Sequence, residues 1–272
     1  MSHTHLVAAL PFDVRPGEVQ ANLQSALDGV RGAASSGARL LVLPEKWTTS
    51  FLPCYSSEVV AESELALASL HEEAESLDLC VIGSAPAASS DTGGGKPFNQ
   101  VHYLGAGGLR RPYHKRILFS PTGEGRQVAR GDALPITLET PVGRVCAVVC
   151  YDLRFPEVTR EAFYQEADLL VVPAQWPLPR LGVFDLLARA RACESQMWVL
   201  ACNRAGVAGL DSKHLMEFPG SSSLIDPMGE VVTASADGEL LVGQIDLDLS
   251  ARVKKIVPCA RDLKMAGLWP ES

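Results

Sequence analysis

The sequence predicts an α/β protein with mixed sheets in a single domain, and three observations carry that prediction. Short, wholly apolar runs such as LLVL (40–43) and LLVV (169–172) read as strands buried on both faces. Segments of helical period alternate with them. The last quarter changes to strict apolar/polar alternation across turn residues, as hairpins do. At 272 residues the chain is long enough for a generous core.

In chain order, HLVAAL (5–10) is a strand, and residues 18–30 place Val19, Leu23, Ala26, Leu27 and Val30 on one helical face. ARLLVLPE (38–45) is a second strand. An amphipathic helix over 59–77 leads to the strand LCVIGSA (79–85). SSDTGGGK (89–96) is a loop whose glycines suit a surface hairpin tip; without Ser or Thr after GK it is no phosphate cradle. NQVHYLGAGG (99–108) and RRPYHKR (110–116) are extended segments joined by a glycine-rich turn.

GRVCAVVC (143–150) is the next strand and hands over to a helix over 156–165, with Pro156 at a first-turn position. The strand DLLVVPA (168–174), a helix over 184–196 and the strand MWVLACN (197–203) follow. SSSLIDPMGEVV (221–232) and DGELLVGQIDL (237–247) are hairpin-like around Asp-Pro-Met-Gly and Asp-Gly turns. No linker-like composition shift or internal repeat interrupts residues 1–272, which read as one domain.

Composition excludes several functions. A net charge of −8 with no basic stretch gives no footprint for nucleic acid. The apolar runs fall far short of the roughly 18 residues a membrane span needs. MSHTHLVAALPF lacks the charged region and cleavage site of a signal peptide. Seven cysteines, an odd number without any CxxC, argue for reduced thiols in a cytoplasm and against a disulfide framework or zinc ribbon. His3 and His5 form an H-x-H with no second ligand cluster, and read as a frayed terminus rather than a metal site.

Ligand sites in α/β sheets gather at strand carboxyl ends, so polar residues there are candidates. ARLLVLP ends at Glu45, RRPYH delivers Lys115, and GRVCAVVC ends at Cys150. Taken singly, each has an ordinary structural reading: a cap or salt-bridge partner, a solvated lysine, a core thiol. Together, LPEKW, HKRILF and CYDLRFPE in this order resemble the nitrilase (carbon-nitrogen hydrolase) superfamily. The resemblance covers essentially the whole chain, including DLLVVPAQWP, RARACESQ, ACNRAG and PGSSSLIDPMGEVV. CYDLRFP followed by QWPLPR is most similar to the omega-amidase-like branch, which hydrolyses the terminal amide of small dicarboxylate monoamides.

The resemblance implies an α-β-β-α sandwich and a Glu-Lys-Cys triad at Glu45, Lys115 and Cys150. A second glutamate of the family, nine residues after the lysine, corresponds to Glu124 in SPTGEGR. No metal or cofactor is implied, and a homodimer or larger assembly is, with residues 253–268 as a plausible interface element. One departure is Gly220-Ser221-Ser222, where Gly-His-Ser is common, a change that bears on support beneath the pocket or on a subunit contact.

The chemistry stands beside the family name. Amide hydrolysis needs a nucleophile, a proton carrier and a holder for the oxyanion. A thiol is mostly protonated at neutral pH, so Cys150 needs a base, and Glu45 fits that role. Lys115 supplies a fixed positive charge, the backbone N–H of Tyr151 is the candidate second oxyanion donor, and Glu124 orients Lys115 or the substrate amide nitrogen. A carboxylate on the substrate calls for an arginine, whose fork binds it bidentately. Arg180 in QWPLPR is the favoured clamp and Arg154 the second candidate, with Trp176 lining the same loop. The competing reading of Arg154 is an ion pair with Asp152 or Glu157.

Rival readings are weaker. A papain-like site would pair Cys150 with a histidine, and His114 sits inside the Lys115 motif. A redox protein would show CxxC, and Cys146, Cys54, Cys80, Cys193, Cys202 and Cys259 carry no motif. Nitrile hydrolysis, N-carbamoyl hydrolysis, cleavage of deaminated glutathione and a catalytically silent interaction module complete the alternatives.

Overall fold

The computed structural model describes residues 3–89, 95–209 and 215–270. Two six-stranded sheets carry the chain, one after the other. The first is built from β1 (Thr4–Ala9), β2 (Leu40–Val42), β3 (Cys80–Ala87), β4 (Phe98–Gly105) and β5 (Arg110–His114). The second comprises β6 (Thr137–Thr140), β7 (Gly143–Ala147), β8 (Leu169–Ala174), β9 (Trp198–Asn203), β12 (Ser222–Ile225) and β13 (Val231–Ser235), after a small hairpin of β10 (Ala205–Ala208) and β11 (Met216–Pro219). The last strand, β14 (Leu241–Asp246), returns to the first sheet and pairs antiparallel with β1. The orders are β14-β1-β2-β3-β4-β5 and β13-β12-β9-β8-β7-β6. Each sheet has three parallel strands, β1-β2-β3 and β7-β8-β9, flanked by antiparallel ones.

Helices α1 (Val19–Ser35) and α2 (Ser57–Ser76) follow β1 and β2, and α3 (Pro156–Tyr164) and α4 (Leu181–Ser195) follow β7 and β8. The period-2 rule sorts each strand between two cores. Ala8, Leu41 and Val81 face outward and pack with Ala26, Val30, Leu67 and Leu70 of α1 and α2. Their neighbours Val7, Ala9, Leu40, Val42 and Ile82 face inward and meet Val145, Leu169, Val171 and Leu200 of the second sheet. The same core takes in Val158 and Ala162 of α3 and Phe184 and Ala188 of α4. The result is helix, sheet, sheet, helix, with Tyr103 Oη donating to Val145 O (3.1 Å) across the central layer.

Several expectations need correction. The strand before Cys150 stops at Ala147, and Cys150–Arg154 form a 3-10 turn instead. The second hairpin does not close: the Asp237-Gly238 turn carries the chain between sheets, because Leu241 and Ile245 belong in the inter-sheet core beside β1. The N-terminus is not frayed from His3 onward. His5 lies in β1, and the His3 ring approaches Asp248 at 3.0 Å. The tail forms α5 (Leu247–Ile256) and α6 (Cys259–Met265), with Asp246 capping α5 through Asp248 N. Of the glycine-rich loop 89–96, residues 90–94 lie outside the described residues.

Candidate active site

Glu45 follows β2 by three residues and opens a tight turn over 45–50. The turn puts Lys46 (φ 45°) and Ser50 (φ 57°) in left-handed backbone, a conformation held here by Ser50 N and Thr49 N donating to Lys46 O. Lys115 follows β5 directly. Cys150 begins the 3-10 turn at φ 47°, an uncommon conformation for a side chain that clusters at functional sites. Asp152 fixes that turn: its carboxylate accepts from Val149 N (3.1 Å), Ile117 N (2.8 Å) and Tyr113 Oη (2.9 Å). One buried carboxylate thus ties the turn that begins at Cys150 to the segment that carries Lys115.

Glu45, Lys115, Glu124 and Cys150 converge, and all are buried. Lys115 Nζ donates to Glu45 Oε1 (2.8 Å) and to Glu124 Oε2 (2.8 Å). Glu124 Oε2 also accepts from Phe119 N, and Glu124 Oε1 accepts from Lys46 Nζ (3.0 Å). Asn99 Nδ2 of β4 donates to the same Glu45 Oε1 at 2.8 Å. Two donors therefore grip one oxygen of Glu45, while Oε2 is buried without a partner among the described residues. Gln175 braces the back of the site, donating to Glu45 O and offering its own backbone O to Cys150 Sγ (3.8 Å).

The electrostatics follow from burial and pairing. Burial works against the Lys115 ammonium, but the charges of Glu124 and Glu45 outweigh it and hold its pKa well above the ordinary value. Burial opposes the Glu124 carboxylate too, yet Lys115 and Lys46 hold its pKa well below the usual range. Asp152 has neutral donors at its oxygens, so burial dominates and lifts it to about 6. The Cys150 thiol is pushed well up, chiefly by burial and then by Glu45, with Lys115 opposing. At neutral pH the sulfur therefore rests protonated, with Glu45 and Lys115 as its charged-group neighbours.

A cavity of about 20 Å³, room for one water-sized group, is lined by Glu45, Lys115, Cys150, Tyr151, Arg154, Trp176 and Arg180 among others. Phe119, Pro177 and Arg180 line both it and a vestibule of about 940 Å³. The Arg154 guanidinium lies over the rings of Tyr151 (5.8 Å) and Trp176 (5.6 Å), and that of Arg180 over Phe119 (5.8 Å). Neither pairs with a carboxylate among the described residues. The competing reading of Arg154, an ion pair with Asp152 or Glu157, is not met among the described residues, and three donors already occupy Asp152. Trp176 is fixed by Nε1 donating to Arg180 O (3.0 Å) and by two backbone bonds to the Asn203 amide. His114 stacks on Phe98 and bonds Gln100, and it does not line the Cys150 cavity.

The sequence model of the carbon-nitrogen hydrolase family matches residues 6–255. The chain belongs to that family. It is 30% identical to the 2-oxoglutaramate amidase of Bacillus subtilis over 95% of this chain and 97% of that protein. It is 32% identical to omega-amidase YafV of Escherichia coli over 86% of this chain and 88% of that one. Among solved structures, the Xanthomonas campestris protein XC1258, a CN-hydrolase superfamily member with an arsenic adduct in its active site, superposes with a TM-score of 0.82. That pair is 25% identical and covers 96% of this chain and 97% of the other. The expected superfamily and its α-β-β-α fold are borne out.

Within this carbon-nitrogen hydrolase, sequence reasoning missed Lys46, Asn99, Asp152 and Gln175. Lys46 had a signal, a lysine set between the buried LVLP run and Trp47. The other three had none, because the partners that join them to the site lie 25 to 130 residues away, Asp152 adding only the local bond to Val149 N. The departing segment Gly220–Ser222 supports the pocket: Ser221 O accepts from Asn203 N, whose side chain holds Trp176.

Proposed function

We propose that this carbon-nitrogen hydrolase is an omega-amidase, releasing ammonia from the terminal amide of a small dicarboxylate monoamide. The observation that carries the reading is the pairing, in one cavity, of a thiol and a half-anchored carboxylate with two arginines that lack acidic partners among the described residues. The names of its relatives in Bacillus subtilis and Escherichia coli point the same way.

In this mechanism Glu45 Oε2 takes the Cys150 proton as Sγ attacks the amide carbon. Lys115 Nζ and the Tyr151 N–H receive the oxyanion, and Glu124 keeps Lys115 oriented. The tetrahedral intermediate collapses when Glu45 returns its proton to the departing nitrogen, which leaves as ammonia. Water then enters the thioester, Glu45 accepts its proton, and the acid departs as the thiol is restored. The inner cavity has too little room for a whole substrate, so the part beyond the reacting amide extends past Arg180 toward the vestibule. Of the two arginines Arg180, at the passage to the vestibule, is the carboxylate clamp. No metal or cofactor enters the scheme.

Incubation with monoamides of C4 and C5 dicarboxylates, a nitrile, an N-carbamoyl amino acid and a glutathione-like amide, monitored for ammonia and for acid product, tests the assignment. The reading requires the monoamides to give the highest kcat/KM. A faster nitrile, carbamoyl substrate or glutathione-like amide would replace it, and turnover of none would leave the silent-module alternative. A cytoplasmic site of action rests on seven free cysteines. A homodimer or larger assembly is supported by the exposed Ile256, Val257, Met265 and Leu268 of the tail, and sedimentation measures it directly.

A further inference from the structure

The mechanism uses Glu45, Lys115 and Glu124, but the buried polar cluster contains a fourth charge that it leaves idle. Lys46 is 1% exposed, and its ammonium lies 3.0 Å from Glu124 Oε1. The rings of Phe51 and Tyr55 cover it at 5.0 and 5.4 Å. Its backbone is strained into the left-handed region, and its own N–H donates to Ser84 Oγ (2.9 Å). An ammonium excluded from water in this way is retained against a desolvation penalty that only a good partner offsets.

The order of charges is what matters. Lys46, Glu124, Lys115 and Glu45 form one buried row, linked at 3.0, 2.8 and 2.8 Å, whose signs alternate and sum to zero. Without Lys46, one ammonium would serve two carboxylates, and the row would already be net negative before sulfur or oxygen gained charge. Other groups facing the row are Tyr55 beside Lys46, with Cys150 and Asp152 beside Lys115. Tyr55 donates its proton to Ser50 O, so it adds no cation.

We infer that Lys46 is a positioning residue that neutralises Glu124 and thereby frees the Lys115 ammonium to serve Glu45 and the reacting sulfur. The inference rests on the proposed roles of Cys150, Glu45 and Lys115. Lys46 never touches substrate; it acts through Glu124. Its positive charge favours the deprotonated forms along the row, so its loss raises the pH at which Cys150 gives up its proton.

The test uses Lys46→Met, which keeps the stem against Phe51 and Tyr55, and Lys46→Gln, which keeps a donor but no charge. Both should lower kcat about tenfold to a hundredfold with KM nearly unchanged, and move the acid limb of kcat/KM upward by about one pH unit. The rate at which Cys150 is alkylated by iodoacetamide, the sulfur displacing iodide, should shift the same way. That readout needs no amide, so a wrong substrate class in the proposed function leaves it intact. In Lys46→Met/Glu124→Gln the remaining row is neutral again, and both limbs should return toward their original position even though turnover stays slow. A purely structural lysine would lower the melting temperature and leave the limbs in place, which overturns the inference. A shift that persists in the double variant overturns it too. If the single variants fail to fold while the double variant folds, the unpaired Glu124 charge is responsible and the inference stands. If none folds, Lys46 is a packing residue and the inference fails.

Discussion

The two halves of the molecule contribute opposite things to one cavity. The first sheet and its loops supply Glu45, Lys46, Asn99, Lys115 and Glu124, all buried and locked to one another. The second supplies Cys150, Trp176 and two exposed arginines without acidic partners among the described residues. In the proposed mechanism the first half moves protons and holds charge, which demands burial and fixed distances. The second would present the nucleophile and read the rest of the substrate, which demands open cations. The lesson is that burial and pairing separate chemistry from recognition: the same residue types, cations, serve one purpose when paired and buried and the other when free.

That division is broken most severely at the nucleophile. Cys150→Ala should abolish ammonia release while leaving the circular dichroism spectrum and melting temperature close to wild type, because the change removes a single sulfur atom. Intact-mass spectra of quenched wild-type enzyme should carry an acyl adduct that the variant lacks. Substantial turnover by Cys150→Ala would remove the second half from the chemistry altogether.

Next in size are the proton-moving partners. Lys115→Ala or Glu45→Gln should each lower kcat by several orders of magnitude, and the double variant should be little worse than either, since the two act as one unit. Near-normal kcat in Lys115→Ala would refute the oxyanion role.

A smaller effect sharpens the contrast from the recognition side. Arg180→Ala should raise KM for C4 and C5 monoamides tenfold to a hundredfold, the equivalent of losing a charge-assisted bond worth about 1.5–3 kcal/mol. An uncharged amide of similar length should lose little. Equal losses on both would make Arg180 a loop support.

The last effect leaves turnover aside and concerns the stability of the joint between the halves. Asp152 is raised to about 6 from 3.8 by burial, so the stability that comes from its holding a proton is full below 3.8 and is lost as pH rises through 6. This amounts to about 3 kcal/mol across that window. Glu124, depressed by Lys115 and Lys46, behaves oppositely: its contribution is present above its unfolded value and lost as pH falls. Melting temperatures at pH 4, 5, 6 and 7 should therefore show Asp152→Asn gaining on wild type as pH rises from 4 to 6. A constant difference would mean that Asp152 titrates normally.

Much of this was legible in the sequence, for identifiable reasons. The strands 40–43 and 169–172 are apolar throughout because both faces are covered, and the three ordered motifs at Glu45, Lys115 and Cys150 sit at strand ends where polar residues stand out. Periodicity reports which face of an element is apolar, and not which distant element covers it. Hence β14 looked like half of a hairpin, although its true partner β1 lies some 240 residues earlier. Asn99, Asp152 and Gln175 escaped for the same reason, since each acts through partners on other elements. The hairpin of β10 and β11 was missed because its strands are short and only partly buried.

The pairing of β1 with β14 also bears on how the protein is made. Until Leu241–Asp246 leave the ribosome, β1 keeps an unpaired edge. Until β7, β8 and β9 are made, the inner face of the first sheet has nothing to cover it. The growing chain therefore passes through a long interval in which a sticky half-barrier of Val, Leu and Ile faces the cytosol of whatever cell synthesises it. Chaperone demand should be highest before β7, β8 and β9 have emerged, and fall once they cover that face.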